Sequence, residues 1–199
     1  MIGIITGDIV QSRKASAAIW MPYLKQALNQ YGTEPRQWEI YRGDSFQLEV
    51  PVVKGMQALL AIKAGIKQVK GMDVRMALGI GDKSYAAQKI TESNGTAFTN
   101  SGICFEQLKK RTVSIRTPWD DLNDTMNTML GLASLVMDQW TPISSKILTI
   151  KLEQPTLRQR ELARMLNISQ SNISAGLRRA GYDEIKKMMT YYEAKIQGI

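Results

Sequence analysis

Two aspartates are placed where hard-oxygen chemistry would be expected of this chain. Asp8 follows the apolar, β-branched run Ile2-Gly3-Ile4-Ile5-Thr6-Gly7, and Asp44 lies in Arg42-Gly43-Asp44 between two alternating segments. If the first strand and that hairpin are neighbours, the two carboxylates converge from strand ends. Such a pair suits Mg²⁺ or Mn²⁺, shared with phosphate and water. The backbone amides from Ile9 to Ser12, with Arg13, Arg42 and the Gly43 turn, would then hold the phosphates of a nucleotide. The plainer reading makes Asp8 a turn cap and Asp44 an ordinary hairpin-turn aspartate. Histidine is absent and Cys104 is the single cysteine. This excludes Ser/His and Cys/His nucleophilic centres, His-ligated metals, thiolate zinc clusters and an internal disulfide.

A second group of polar residues lies near the C-terminus. Residues 142–199 hold ten basic and five acidic side chains, against sixteen and thirteen in the preceding 141, so much of the formal charge of +8 is concentrated there. The stretch 156–180 contains Ala163, Asn167, Ile168, Ser169, Ile173 and Leu177 at the offsets of two helices crossing at a tight turn. The small Ala163 sits at the crossing, and Asn167 is tolerant of left-handed backbone. Ile168 fills the corner, Ser169 caps the second helix, and Ile173 and Leu177 bury its inner face. The remaining positions, Ser169, Gln170, Ser171, Asn172 and Ser174 followed by Arg178 and Arg179, carry amides, hydroxyls and guanidinium groups suited to base edges and phosphates of duplex DNA. Gly176 is a local weak point, costing that helix about 1 kcal/mol relative to alanine. A helical hairpin serving only protein contacts is the competing reading.

The elements that must position these residues follow from periodicity. A first strand over 2–7 ends at Asp8. A helix over 15–31 shows Ile19, Trp20, Tyr23, Leu24, Ala27, Leu28 and Tyr31 on one stripe. Strands over 38–41 and 45–50 form a hairpin. A helix over 52–69, a strand over 73–81, a helix over 96–110 and a strand over 112–116 follow. The order β-α-β-β-α-β, then α-β, predicts an α+β, palm or ferredoxin-like sheet domain with its helices on one face of a mostly antiparallel sheet. From Pro118 the pattern is all-helical: about 120–139, 142–153 opened by Thr141-Pro142, 156–166, 169–180 and 182–196. The expected division is 1–117 for the sheet domain, 118–140 for a linker helix and 141–199 for an all-α helix-turn-helix domain.

The stretches Ile5-Thr6-Gly7-Asp8-Ile9-Val10-Gln11-Ser12-Arg13, Tyr41-Arg42-Gly43-Asp44-Ser45-Phe46-Gln47, Arg75-Met76-Ala77-Leu78-Gly79-Ile80-Gly81 and Ser93-Asn94-Gly95-Thr96-Ala97-Phe98 resemble the SatD family. With the Trp140-Thr141 helix and the C-terminal segment, that similarity covers nearly the whole chain. Residues 156–180 also resemble the helix-turn-helix of bacterial regulators and sigma-factor region four. More distantly, Asp8-Ile9 and Gly43-Asp44 resemble the metal-binding aspartates of class III nucleotidyl cyclases. Cyclases of that class place an Asn and an Arg four residues apart on the helix after the position of Gly95. Here Thr99 and Ile103 stand at those places, with Asn100 one residue off. Loss of the arginine would remove most transition-state stabilisation, so binding is expected rather than turnover.

The expectation is therefore a cytoplasmic, DNA-binding transcriptional regulator whose cyclase-like domain senses a metal or nucleotide. The alternatives are a metal-dependent cyclase-like or phosphoryl-transfer enzyme, and a non-catalytic interaction module. Duplex DNA, a nucleotide and a second copy meeting through the Met188–Tyr192 helix are the expected partners. No basic residue precedes Arg13 and Asp8 interrupts the first apolar run, so no signal peptide or membrane segment is expected.

Overall fold

A computed structural model describes residues 1–198. The chain order is β1 (Ile2–Val10), α1 (Ala17–Asn29), β2 (Trp38–Tyr41), β3 (Ser45–Val50), α2 (Gly55–Ile66), β4 (Asp73–Gly81), α3 (Thr96–Glu106), β5 (Val113–Arg116), α4 (Asp120–Met137), α5 (Pro142–Glu153), α6 (Gln159–Leu166), α7 (Gln170–Arg179) and α8 (Tyr182–Gln197). The architecture is α+β. One mixed sheet runs in the order β2-β3-β1-β4-β5. Every pairing is antiparallel except the parallel β4–β5 pair.

β1 departs from its predicted end. It continues through Asp8 to Val10, and Asp8 pairs with Ser45 on one side and Arg75 on the other. Cross-strand partners on both flanks extend a central strand beyond the point where local composition stops favouring it. The expectation of helices on one face also needs correction. Ile5, Ile9, Val74, Met76, Leu78 and Ile80 pack in the core shared with α1 and α2, whereas Ile4 packs with Ala97 on the opposite face, under α3. Gly79 makes this second layer close: a Cβ there would lie 2.2 Å from the Ser101 amide nitrogen and 2.4 Å from the Ala97 carbonyl. The Ser101 hydroxyl is fully buried and bonds the Thr6 hydroxyl (2.7 Å) and the Ala77 carbonyl (3.2 Å).

β5 is an edge strand, and α4 closes it with side-chain amides. Asn127 Oδ1 accepts from the Ile115 amide (2.9 Å) and its Nδ2 donates to the Ile115 carbonyl (2.8 Å). Asn123 does the same at Thr117 (2.7 and 2.9 Å). These amides take the place of a sixth strand and blunt the edge.

One main core is shared by the sheet, α4 and the C-terminal helices. The α2 helix is buried on nearly every side, because the sheet and α1 cover part of it and α5 and α8 cover the rest. Leu122, Met126, Leu130 and Met137 of α4, Leu148 and Leu152 of α5, and Ile185, Met188 and Tyr192 of α8 share that core with Leu59 and Ile5. A small satellite core, Ile147, Leu162, Ala163, Ile173 and Leu177, holds α6 and α7 against α5. Met188 and Tyr192 are 6% and 0% exposed. Within the Met188–Tyr192 stretch these two side chains face the core, whereas Thr190 is exposed and Met189 and Tyr191 are half-buried. Ile19, predicted on the buried stripe of α1, is exposed because that helix lies across the core through Trp20, Leu24, Ala27 and Leu28.

The Tyr192 hydroxyl donates to the Val52 carbonyl (2.6 Å), tying the last helix to the turn before α2. Burial, reinforced by the charge of Glu193, holds this phenol well above its ordinary range. Folded Tyr192 stays neutral where the unfolded chain ionises, near pH 10. Its contribution to stability is fully present below that pH and is lost as pH rises toward the folded value. Tyr192→Phe is expected to cost about 1–2 kcal/mol at neutral pH by leaving the Val52 carbonyl without this donor, and to flatten the decline above about pH 10. Urea unfolding at neutral and alkaline pH measures both effects.

Candidate nucleic-acid interface and the sheet-end carboxylates

The segment from α6 to α7 is built by three local devices. Asn167 takes the left-handed conformation (φ 52°) that ends α6. The Ile168 amide donates to the Ala163 carbonyl (3.1 Å), closing the turn, and the Ser169 hydroxyl accepts from the Asn172 amide (3.2 Å), capping α7. Ala163, Ile173 and Leu177 are buried. Upstream, Thr141 and Ser144 form a reciprocal cap at the start of α5, with Pro142 in its first turn. Gly176 has a packing reason that its helix propensity conceals: a Cβ there would lie 2.5 Å from Ile147 Cδ1, so the α7 backbone packs directly against the Ile147 side chain of α5. α6 begins at Gln159 rather than 156, because Glu161 accepts from the Arg158 amide (2.7 Å) and sets the first turn there.

Ser169, Gln170, Ser171, Asn172, Ser174, Arg178 and Arg179 are all exposed. They do not form one surface. Gln170, Ser174 and Arg178, spaced four apart, line an open groove of about 870 Å³ together with Arg158 and Arg160 at the start of α6. Arg160 Nε donates to Gln170 Oε1 (3.3 Å), orienting that amide across the groove. Arg179 lines a second groove, between α4 and α8, and Arg178 borders both grooves. Arg158 and Arg160 are the contributors that sequence reasoning missed; their signal was two basic residues at the entry to the first helix of the pair. Lys151 also borders the groove, but its ammonium donates to the carbonyls of Pro155 (2.7 Å) and Leu157 (2.6 Å). Partial burial, with nearby Lys186, lowers its pKa. The pair is set rigidly on the body of the protein: Trp140 Nε1 donates to the Ala180 carbonyl at the end of α7 (3.0 Å).

At the far end of the sheet the predicted metal and nucleotide residues are brought close together, yet engaged with one another. Asp8 receives both Nε (3.0 Å) and Nη2 of Arg75, a bidentate pair. The Asp8 hydrogen bond raises the pKa of that guanidinium, which also lies over the Phe105 ring at 5.6 Å. Asp44 accepts from the Ser12 hydroxyl (2.5 Å). The Ile9 amide, expected to hold a phosphate, donates instead to the Asp44 carbonyl (3.1 Å). Arg42 (φ 52°) and Gly43 (φ 88°) make the left-handed turn of the hairpin and are exposed, as is Arg13. Tyr41, half-buried beside them, has a phenol pKa raised by burial and by Asp8, and lowered by Arg42. As folded, both Asp8 oxygens accept from the Arg75 guanidinium, with whose charge a divalent ion at this carboxylate would compete. Asn100, near the place of the cyclase asparagine, donates to the Ile80 carbonyl (2.8 Å) and accepts from Arg116 (3.3 Å).

Comparison with family models, with curated proteins and with solved structures finds no match to this chain. No helix among the described residues is long and apolar enough to cross a membrane.

Proposed function

We propose that this chain binds duplex DNA through α6 and α7 as a helix-turn-helix and acts as a transcriptional regulator. The observation that carries this reading is the exposed Gln170–Ser174–Arg178 stripe, which shares one groove with Arg158 and Arg160. Amides and hydroxyls at the start of a helix suit base edges in the major groove. Guanidinium groups at its end and on the preceding helix suit the phosphates on either side. The surplus positive charge of residues 142–199 supplies the field that draws a polyanion to this end of the molecule.

The order β2-β3-β1-β4, joined as β1-α1-β2-β3-α2-β4, supports the palm or ferredoxin-like reading of the sheet. It is also the arrangement that kinship with the SatD family would imply. In this reading the sheet end around Asp8, Asp44 and Arg75 is a binding or structural centre. A nucleotide bringing Mg²⁺ or Mn²⁺ would act there only by opening the Asp8–Arg75 pair.

The test is fluorescence anisotropy against duplexes selected from a random library, over a series of salt concentrations. Binding is expected to weaken steeply with salt. Arg178→Ala is expected to weaken all duplexes alike and reduce the salt slope by about one. Gln170→Ala with Asn172→Ala is expected to cost about 10–100-fold on the selected duplex per lost base contact, with little change on random DNA. No measurable duplex binding at low salt, or binding indifferent to these three residues, would overturn the proposal.

A further inference from the structure

A groove of about 560 Å³ opens over β5, between the end of α3 and the first half of α4. Four cations line it, Lys109, Lys110, Arg111 and Arg116, and among the described residues no carboxylate does. Glu106 and Asp124, the acidic residues next to it in sequence, lie outside the lining. All four cations are exposed, and none forms an ion pair among the described residues. The turn after α3 sets three of them: Lys109 is left-handed (φ 49°), and the Arg111 amide donates to the Leu108 carbonyl (2.7 Å). Arg116, at the other end of β5, is steadied by donation from its Nε to Asn100 Oδ1 (3.3 Å), which leaves its two terminal nitrogens to point at a ligand. From Val113 to Arg116 the strand spans only about 10 Å, so long side chains from both ends can converge over it. The negative end of α3 accounts for cations in the turn that follows it. It does not account for Arg116, or for a lining without carboxylates.

We infer that this groove binds a phosphorylated small molecule of nucleotide size, its phosphates held by these four cations. Charge complementarity selects an anion, and two guanidinium groups favour phosphate, whose oxygens they can meet bidentately. The rest of the lining selects an organic body behind the phosphates. Cys104, Leu108 and Ile115 give the groove an apolar lining, and its volume lies within the range of small-molecule sites. Gln107 borders it with an exposed side-chain amide that makes no hydrogen bond among the described residues, free to pair with a polar edge of that body. The groove shares no lining residue with the one beside α6 and α7, and includes neither Asp8 nor Asp44. The inference therefore rests on neither the DNA reading nor a metal at the sheet end.

Calorimetry on the full chain in EDTA, so that no divalent ion takes part, tests it with ATP, GTP, inorganic triphosphate and citrate. At least one nucleotide is expected to bind, triphosphate about tenfold more weakly for want of a body, and citrate more weakly than either. Arg116→Gln is expected to weaken the nucleotide about tenfold, and Lys110→Gln with Arg111→Gln to weaken it further. These side chains are exposed, and an unchanged circular dichroism spectrum checks the fold. Gln107→Ala is expected to weaken the nucleotide and leave triphosphate unaffected. Arg36→Gln with Lys146→Gln removes the same charge from exposed positions elsewhere and is expected to change nothing. The inference is overturned if neither nucleotide binds at millimolar concentration, or if triphosphate or citrate binds as tightly as the nucleotide. It is equally overturned if the Arg36 and Lys146 variant loses as much affinity as Arg116→Gln. Duplex DNA that displaces the nucleotide through Arg116 would make the groove a nucleic-acid contact instead, and would also overturn it.

Discussion

Replacing Lys63 by methionine is expected to lower the stability of the fold by about 3 kcal/mol. Lys63 is the only charged residue within α2, and its side chain is completely buried. Its ammonium lies 2.9 Å from Asp73, 2.8 Å from Asp138 and 3.1 Å from the Thr112 hydroxyl, which accounts for all three of its protons. Lys67 completes the cluster through Asp73 (3.3 Å) and the Asp138 carbonyl (2.7 Å). Two cations face two carboxylates, and the group joins α2, the start of β4, the residue before β5 and the end of α4. Removing Lys63 leaves the carboxylates facing an apolar side chain. The effect stays at the lower end of the range for buried pairs because Asp138 is 38% exposed and water can reach it. Changing Asp73 and Asp138 to asparagine in the Lys63→Met background is expected to recover much of the loss. Urea denaturation of the single, double and triple variants measures the coupling.

Gly176→Leu is expected to destabilise the chain by about 1–3 kcal/mol, and by more if α5 cannot yield. A Cβ alone at this position meets Ile147 Cδ1 at 2.5 Å, and Ile147 is itself fully buried. The larger side chain must push α7 away from α5 or force Ile147 out of its rotamer. Two effects oppose each other here: leaving glycine favours the helix by about 1 kcal/mol, while the clash acts against it. For leucine the clash wins, since the added volume has no outlet between two packed helices. Ile147→Ala in the same chain vacates about the volume that the introduced leucine side chain needs, so the double variant is expected to regain most of the stability. If α7 reads DNA, the single variant also loses duplex affinity through the altered angle of the helix, and the double variant recovers it. Thermal unfolding and anisotropy on the same four proteins separate the two effects.

Elements with a strong local signal were legible from residues alone. The hairpin over 38–41 and 45–50 and the strand over 73–81 have their predicted bounds. So do the cap at Thr141, the left-handed Asn167, the Ser169 cap and the burial of Ile173 and Leu177. Each is decided within a few residues, by alternation, by a side chain bonding its own backbone, or by i, i+4 spacing. Exposure of the polar face of α7 follows from the same amphipathic pattern.

Tertiary structure decided what depends on partners distant in sequence. Nothing near Asp8 shows that Arg75, 67 positions away, claims its carboxylate, or that α3 takes the second face of the sheet through Gly79. Periodicity places one apolar face on α2; only the arrival of α5 and α8 explains why its other sides, and a lysine, are also buried. Ile19 lies on the same apolar stripe as Trp20 in sequence, and its exposure follows only from the way α1 crosses the core. The physical reason is common to these cases. Local sequence determines which backbone conformation is cheapest and which side chains seek burial, whereas the identity of the neighbour, and therefore whether a charge is free or paired, emerges only when distant segments close on one another.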